Sequence, residues 1–91
     1  MNAFCVSYDL HPLGKRYDAL YEQLKQCSGW WHYLDSTWLV VTAETIEQLA
    51  ARLRGAIDAN DNLLIIRIRT PYDGWLPADA WEWINAHVPP A

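Results

Sequence analysis

The sequence predicts a small α+β protein, and two observations support that fold class. At 91 residues the chain has the size of one domain, and 52% of its residues are apolar, as in a globular protein. Short runs of β-favouring residues alternate with segments whose apolar residues recur at helical spacing. The resulting order is strand, helix, strand, strand, helix, strand, with a short helix in the tail.

The first half of the chain predicts a strand, a helix and a hairpin. Residues 3–9 have strand composition and run into turn residues. Residues 15–27 place their apolar side chains on one helix face, and Ser28-Gly29 ends this helix. Residues 30–34 and 37–42 favour β structure and are separated by Asp35-Ser36, which predicts an antiparallel hairpin.

The second half predicts a helix, a strand and a tail helix. Thr42 or Thr45 can cap the second helix, whose apolar positions extend from Ile46 to Ile57. Residues 63–69 form the predicted fourth strand, after a turn cluster. Residues 78–87 form a short helix that can lie on its own sheet or on a second subunit.

This element order predicts a ferredoxin-like βαββαβ sandwich as a single domain over residues 1–91. Its sheet is antiparallel with both main helices on one face, so the other face is bare unless something covers it. The tail helix is the candidate cover. We expect Trp75, Trp81 and Trp83 to pin it down.

Charge and cysteine usage limit the classes of partner. The net charge of −4 disfavours sequence-independent binding of nucleic acid by a monomer, because such binding needs an excess of Lys and Arg. Cys5 and Cys27 form no metal-binding motif and fit buried thiols in a reducing cytosol. No segment approaches the length of a membrane span, and the start has no charged leader. We therefore expect a cytoplasmic protein with no membrane partner.

Asp9 is the leading candidate for chemistry, since Tyr8-Asp9 closes the first strand just before His11. A strand end fixes a carboxylate while the following loop admits a ligand, and carboxylate oxygens bind hard cations such as Mg²⁺. Asp9 is thus a candidate metal ligand and catalytic residue, with Tyr8 beside it and His11 as a proton carrier. The structural alternative is that Asp9 caps a turn or the next helix.

Basic residues near both strand ends are candidate phosphate contacts. Arg67 and Arg69 alternate along the last strand and share one face of the sheet, whereas Leu64, Ile66 and Ile68 take the other. With Lys15 and Arg16 they can contact nucleic acid. One alternative, which the net charge favours, is that Arg67 and Arg69 form salt bridges with Asp and Glu of a partner. Another is that they protect an exposed sheet surface against aggregation.

The predicted hairpin is rich in aromatic residues, with Trp30, Trp31, Tyr33 and Trp38. Such rings can stack on bases, each stack contributing about 1–3 kcal/mol. Alternation along a strand sends roughly half of them to the core instead. The other half fits a subunit interface, where Trp and Tyr concentrate.

Residues 6–10, Val-Ser-Tyr-Asp-Leu, with the element order and the short length, resemble the small CRISPR-associated ferredoxin-fold proteins that work with the spacer integrase, and their toxin-like relatives. Together with residues 30–38, Trp-Trp-His-Tyr-Leu-Asp-Ser-Thr-Trp, they resemble SinR-like proteins over nearly the whole chain. In the CRISPR-associated family an Asp ending the first strand is the proposed metal ligand of an endoribonuclease, a role that falls on Asp9 here. The resemblance implies a homodimer and Mg²⁺ or Mn²⁺ as cofactor.

Two main functions from different classes stay open, beside a third class, a small-ligand sensor, which would need an apolar pocket. One is a homodimeric nucleic-acid-associated protein with metal-dependent nuclease activity at Asp9. The other is a non-catalytic module whose aromatic surface binds a protein partner or a second copy. The family resemblance favours the first, whereas the acidic charge and the six tryptophans favour the second.

Overall fold

The computed structural model describes residues 1–10 and 18–88, which form a four-stranded antiparallel sheet with helices on both faces. The strands are β1 (Asn2–Asp9), β2 (Gly29–Trp31), β3 (Thr37–Thr42) and β4 (Asn62–Arg67). The helices are α1 (Asp18–Lys25), α2 (Ile46–Arg54) and α3 (Ala78–His87). The predicted start of the first helix, at residues 15–17, lies outside the described residues.

The strand order is β2-β3-β1-β4, and every neighbouring pair is antiparallel. This order confirms the ferredoxin-like βαββαβ arrangement. It places β1 and β3 in the centre of the sheet, with β2 and β4 at its two edges. The tail helix occupies the predicted residues.

The connection between β2 and β3 is longer than predicted. β2 ends at Trp31 and not at residue 34, so residues 32–36 link the two strands. His32 explains the early end, because its ring stacks on Trp38 at 4.1 Å and its Nε2 atom lies 3.0 Å from the Asp35 carbonyl oxygen. These two contacts turn the chain away from the sheet.

The main core lies between the sheet and the pair α1 and α2. Alternation along β1 sends Phe4, Val6 and Tyr8 to this helix face. The side chains that meet them come from β3 and both helices. They are Trp38, Val40, Leu20, Leu24, Leu49 and Leu53, all buried.

Local sequence fixes the start of α2. Thr45 is its N-cap and is one of the two threonines predicted for this role. The Thr45 hydroxyl accepts a hydrogen bond from the Gln48 N–H at 3.2 Å, and the Gln48 side chain accepts one from the Thr45 N–H at 2.9 Å. This capping box satisfies two backbone donors that the first turn leaves unpaired. Thr42, the other candidate, donates to Glu44 instead, at 2.9 Å.

The α3 helix lies on the opposite face of its own sheet, which we call the outer face. Ala80 and Ile84 are buried there. A methyl group on Gly29 would lie 2.8 Å from Val41 Cγ2 of β3, which is too close, and 3.5 Å from the His87 ring of α3, which is ordinary van der Waals contact. The absence of a side chain at Gly29 therefore relieves its contact with Val41 under the end of α3. The expectation that Trp75 pins the tail is wrong, because its side chain is 100% exposed.

Both cysteines are free thiols. Cys27 is buried and Cys5 is half-buried, and desolvation raises the pKa of each thiol. No helix in residues 1–10 and 18–88 has the length and apolar character needed to cross a membrane.

Candidate functional site

Asp9 lies at the end of β1 with its side chain exposed on the outer face. Its neighbour across the strand pair is Asn62 of β4. The two residues line a shallow hollow of about 320 Å³ together with Ser7 and Leu64. Ser7 lies on the same face, but its hydroxyl is 3.1 Å from that of Thr37 and shares a hydrogen bond with it.

Tyr8 does not join Asp9 in one site. Adjacent residues of a strand point to opposite faces, so Tyr8 enters the core while Asp9 faces outward. The Tyr8 hydroxyl accepts a hydrogen bond from Trp38 Nε1 at 3.2 Å in this buried setting. Its buried side chain gives Tyr8 a structural role in the core, and its catalytic role stays a prediction.

Three other residues of the predicted catalytic and basic groups lie outside the described residues. This holds for His11, Lys15 and Arg16. Within residues 1–10 and 18–88, no three His, Cys, Asp or Glu side chains gather where they could hold a metal ion. Side-chain oxygens on the outer face near the Asp9 carboxylate include those of Asn62 and Ser7. A Mg²⁺ or Mn²⁺ ion held by one carboxylate needs further oxygens from a substrate or a second subunit.

Arg67 and Arg69 lie far from Asp9. Arg67 is opposite Phe4 in the strand pair, five residues along β4 from the partner of Asp9, which corresponds to about 17 Å. Its guanidinium donates to the Asn2 side chain at 3.0 Å. Arg69 follows the end of β4. The structure therefore does not bring the predicted metal ligand and the predicted phosphate contacts of this strand into one site.

Four rings beside β2 form what we call the aromatic cluster: Tyr21, Trp30, His32 and Trp38. Trp38 is buried at its centre, with ring centroids of Tyr21 and Trp30 each 5.1 Å away. Lys25 places its ammonium 5.4 Å from the Trp30 ring, in cation–π range. Trp38 is thus one of the hairpin aromatic residues that point into the core, whereas the Trp30 side chain is 41% exposed.

The outer side of the same hairpin carries a second aromatic pair. Trp31 and Tyr33 stack with their ring centroids 5.9 Å apart. Tyr33 is 66% exposed and its neighbour Leu34 is also exposed. Trp30, Tyr33 and Leu34 together form an exposed apolar surface along the β2 side of the molecule, which we call the aromatic border.

A polar cluster joins the end of α1 to α2. The Arg52 guanidinium donates to both carboxylate oxygens of Glu44, at 3.1 and 2.8 Å, and to the Cys27 sulfur at 3.3 Å. It also donates to the Gln23 carbonyl oxygen. Hydrogen bonds from Arg52 lower the pKa of Glu44. The cluster ties two helices together, and the spacing of these residues in the sequence did not reveal it.

Sequence reasoning also missed the edge formed by β4. Its Leu64 and Ile66 side chains are exposed on the outer face. Its other face borders a groove of about 480 Å³ against α2, lined by apolar residues such as Ile46, Ala50 and Ile57. The available signal was the run of four aliphatic residues at 63–66 in a strand that the topology places at an edge.

Comparison with known proteins does not assign the chain to a family. No protein-family model matches the sequence, and no curated protein matches it. The resemblance to SinR-like and CRISPR-associated proteins stays a prediction from the residues.

Proposed function

We infer that this protein is an interaction module that works as a homodimer. One observation carries the proposal: large apolar side chains are exposed along both edges of the sheet. On the β2 side they are Trp30, Tyr33 and Leu34, and on the β4 side they are Leu64 and Ile66. Apolar groups that keep such exposure in a single copy lose contact with water when a partner covers them, which favours association.

Charge supports this function over nucleic-acid binding. The net charge is −4, and the described arginines of β4 and its extension lie far from the exposed aromatic border. Bases stack on rings that a basic groove holds close to the phosphates. Here Trp30 already packs against Trp38 on one side and Lys25 on another. The aromatic border therefore fits a protein surface better than a single strand of RNA.

A metal-dependent nuclease is the second candidate, and the exposure of Asp9 beside a hollow on the outer face is the observation that favours it. In that function a second copy contributes its own Asp9, and two carboxylates share one Mg²⁺ or Mn²⁺ ion. The resemblance to the CRISPR-associated family supplies the same role for Asp9.

A cleavage and binding assay separates the two functions. Purified protein is incubated with labelled single-stranded RNA and DNA, with Mg²⁺ or Mn²⁺, beside the Asp9→Ala variant and an Asp35→Ala control in the exposed β2–β3 connection. The interaction module predicts no cleavage by any of the three proteins. Cleavage by wild type and by Asp35→Ala that disappears in Asp9→Ala would overturn the module and establish the nuclease.

A further inference from the structure

The free side of β4 is an apolar strand edge. β4 is last in the sheet order, and within the described part of the chain its only strand neighbour is β1. Leu64 and Ile66 are 58% and 54% exposed on the outer face. Natural edge strands usually carry a Lys, a Pro or a bulge that blocks pairing, whereas residues 63–66 are all aliphatic. The charged residue of β4 is Arg67 at its end, so residues 63–66 in the middle of this edge carry no charge.

The helix face of the same strand is also partly open. Leu63 and Ile65 are half-buried and line the groove between β4 and α2. The opposite wall of this groove is built by Ile46, Ala50 and Ile57 of α2 and the residues that follow it. A strand added beside β4 would cover this groove with its own side chains while its backbone completes the sheet.

The backbone of β4 offers its hydrogen-bonding groups in a defined pattern. The Ile68 N–H donates to the Ala3 carbonyl oxygen at 2.9 Å, in the same register that pairs Phe4 with Arg67. Hydrogen-bonded and non-hydrogen-bonded pairs alternate along an antiparallel ladder. The polar backbone groups of Leu63, Ile65 and Arg67 therefore point away from β1, toward the free side.

We propose that two copies of this chain pair through β4, antiparallel and centred on Ile65, so that their sheets join into one sheet of eight strands. The proposal rests on the homodimer inferred above and names its interface. In this register Ile65 lies opposite Ile65 of the second copy, and the groups facing the free edge bond reciprocally. On the outer face Leu64 lies opposite Ile66 of the second copy, which joins four exposed aliphatic side chains into one row.

Charge complementarity in α2 supports a second copy as the occupant. The helix runs antiparallel to β4, because Glu47 shares a hollow with Arg67 whereas Arg54 lies at the Asp61 end. A two-fold axis at Ile65 therefore lays two α2 helices antiparallel with Ala50 near the crossing. Glu47 of each copy then faces Arg54 of the other. Both side chains are exposed in a single copy.

The small residues Ala50 and Ala51 at the centre of α2 suit this arrangement. Strands in a sheet are about 4.8 Å apart, and helices pack at about 8–10 Å when the side chains between them are small. An unrelated extended peptide can also form hydrogen bonds with the free edge of β4. It does not bring a second α2 helix whose charged side chains face Glu47 and Arg54. The self-complementary charges favour the second copy.

Charged substitutions on the exposed row test the interface. Leu64→Glu and Ile66→Glu each place two carboxylates in the joined row, and we expect the dimer dissociation constant to rise by about 100-fold or more, measured by sedimentation equilibrium. Trp75→Glu is the matched control, because it removes a larger exposed ring elsewhere and should leave the constant unchanged. Thermal unfolding of each variant checks that the fold is retained.

A charge swap tests the register. Glu47→Arg or Arg54→Glu alone should weaken the dimer by about tenfold, since two reciprocal ion pairs turn repulsive, and the double variant should restore it. A wild type that stays monomeric overturns the homodimer itself. A wild-type dimer that Leu64→Glu and Ile66→Glu leave intact overturns the β4 interface alone, and points to the aromatic border on the β2 side. Weakening by Ile66→Glu without rescue by the charge swap keeps β4 as the dimer interface and overturns the register centred on Ile65.

Discussion

At the scale of single residues, Tyr8 and Asp9 show how strand geometry separates neighbours. The sequence puts them together as one candidate catalytic group. The strand turns Tyr8 into the core, where it accepts a hydrogen bond from Trp38, and leaves Asp9 exposed on the outer face. A side chain that serves the core is not available to a substrate, so the candidate chemistry at this strand end rests on Asp9.

The hydrogen bond between Tyr8 and Trp38 should contribute measurably to the free energy of unfolding. Tyr8→Phe removes the acceptor and leaves the buried indole N–H unsatisfied, so we expect the free energy of unfolding to fall by about 1–3 kcal/mol. Urea denaturation measures it, with Tyr33→Phe as the control on an exposed ring. Equal losses in both variants would remove the structural role assigned to Tyr8.

The Glu44–Arg52 ion pair should make stability depend on pH. Arg52 lowers the pKa of Glu44 in the folded protein, so the pair stabilises fully above the ordinary glutamate range and loses its effect as the pH falls through the folded pKa. Glu44→Gln should cost about 1 kcal/mol at neutral pH. Denaturation curves across the acid range should show this difference shrinking toward zero.

Glu22→Gln serves as the control for that series, because Glu22 is exposed on α1. Its stability difference from wild type should be small at every pH. A Glu44→Gln difference that is the same in acid as at neutral pH would contradict the assigned role of the ion pair.

At the scale of elements, the order of helices and strands could be predicted because hydrophobic periodicity and turn residues are local signals. The tail helix and β3 have the predicted bounds. β2 was predicted too long because the stack of His32 on Trp38 is a tertiary contact between a loop and the core. The exposure of Trp75 could not be predicted either, since no local pattern says which rings find a neighbour.

The packing of β2 beside Val41 of β3 depends on Gly29. Gly29→Ala puts a methyl group 2.8 Å from Val41 Cγ2, and we expect it to cost about 1–3 kcal/mol of unfolding free energy. Gly55→Ala is the matched control: its backbone is already helical, and the nearest atom to an added methyl is 3.4 Å away. It should be neutral or stabilise by up to about 1 kcal/mol. A Gly29→Ala protein as stable as Gly55→Ala would show that Val41 moves aside for the added methyl at no cost.

At the scale of the whole molecule, both edges of the sheet present apolar side chains. On the outer face α3 covers the region over Gly29 and Leu39, whereas no other part of residues 1–10 and 18–88 covers the stretch with Asp9 and Leu64. From element order the sequence predicted a second sheet face that is bare unless the tail helix or a second subunit covers it, and its aromatic content favoured a partner. It did not predict which edge is open, because that depends on strand order and on where α2 lies. Pairing through β4 would use the open edge and leave the aromatic border of the β2 side for another protein.

Amide hydrogen exchange at the two edges of the sheet is the decisive test of pairing through β4. It is followed by NMR at protein concentrations below and above the dimer transition. We predict that the amides of Leu63, Ile65 and Arg67, which point to the free side of β4, become protected as the concentration rises, while those of β2 do not. Protection that is unchanged at β4, or that rises at β2 instead, would contradict pairing through β4.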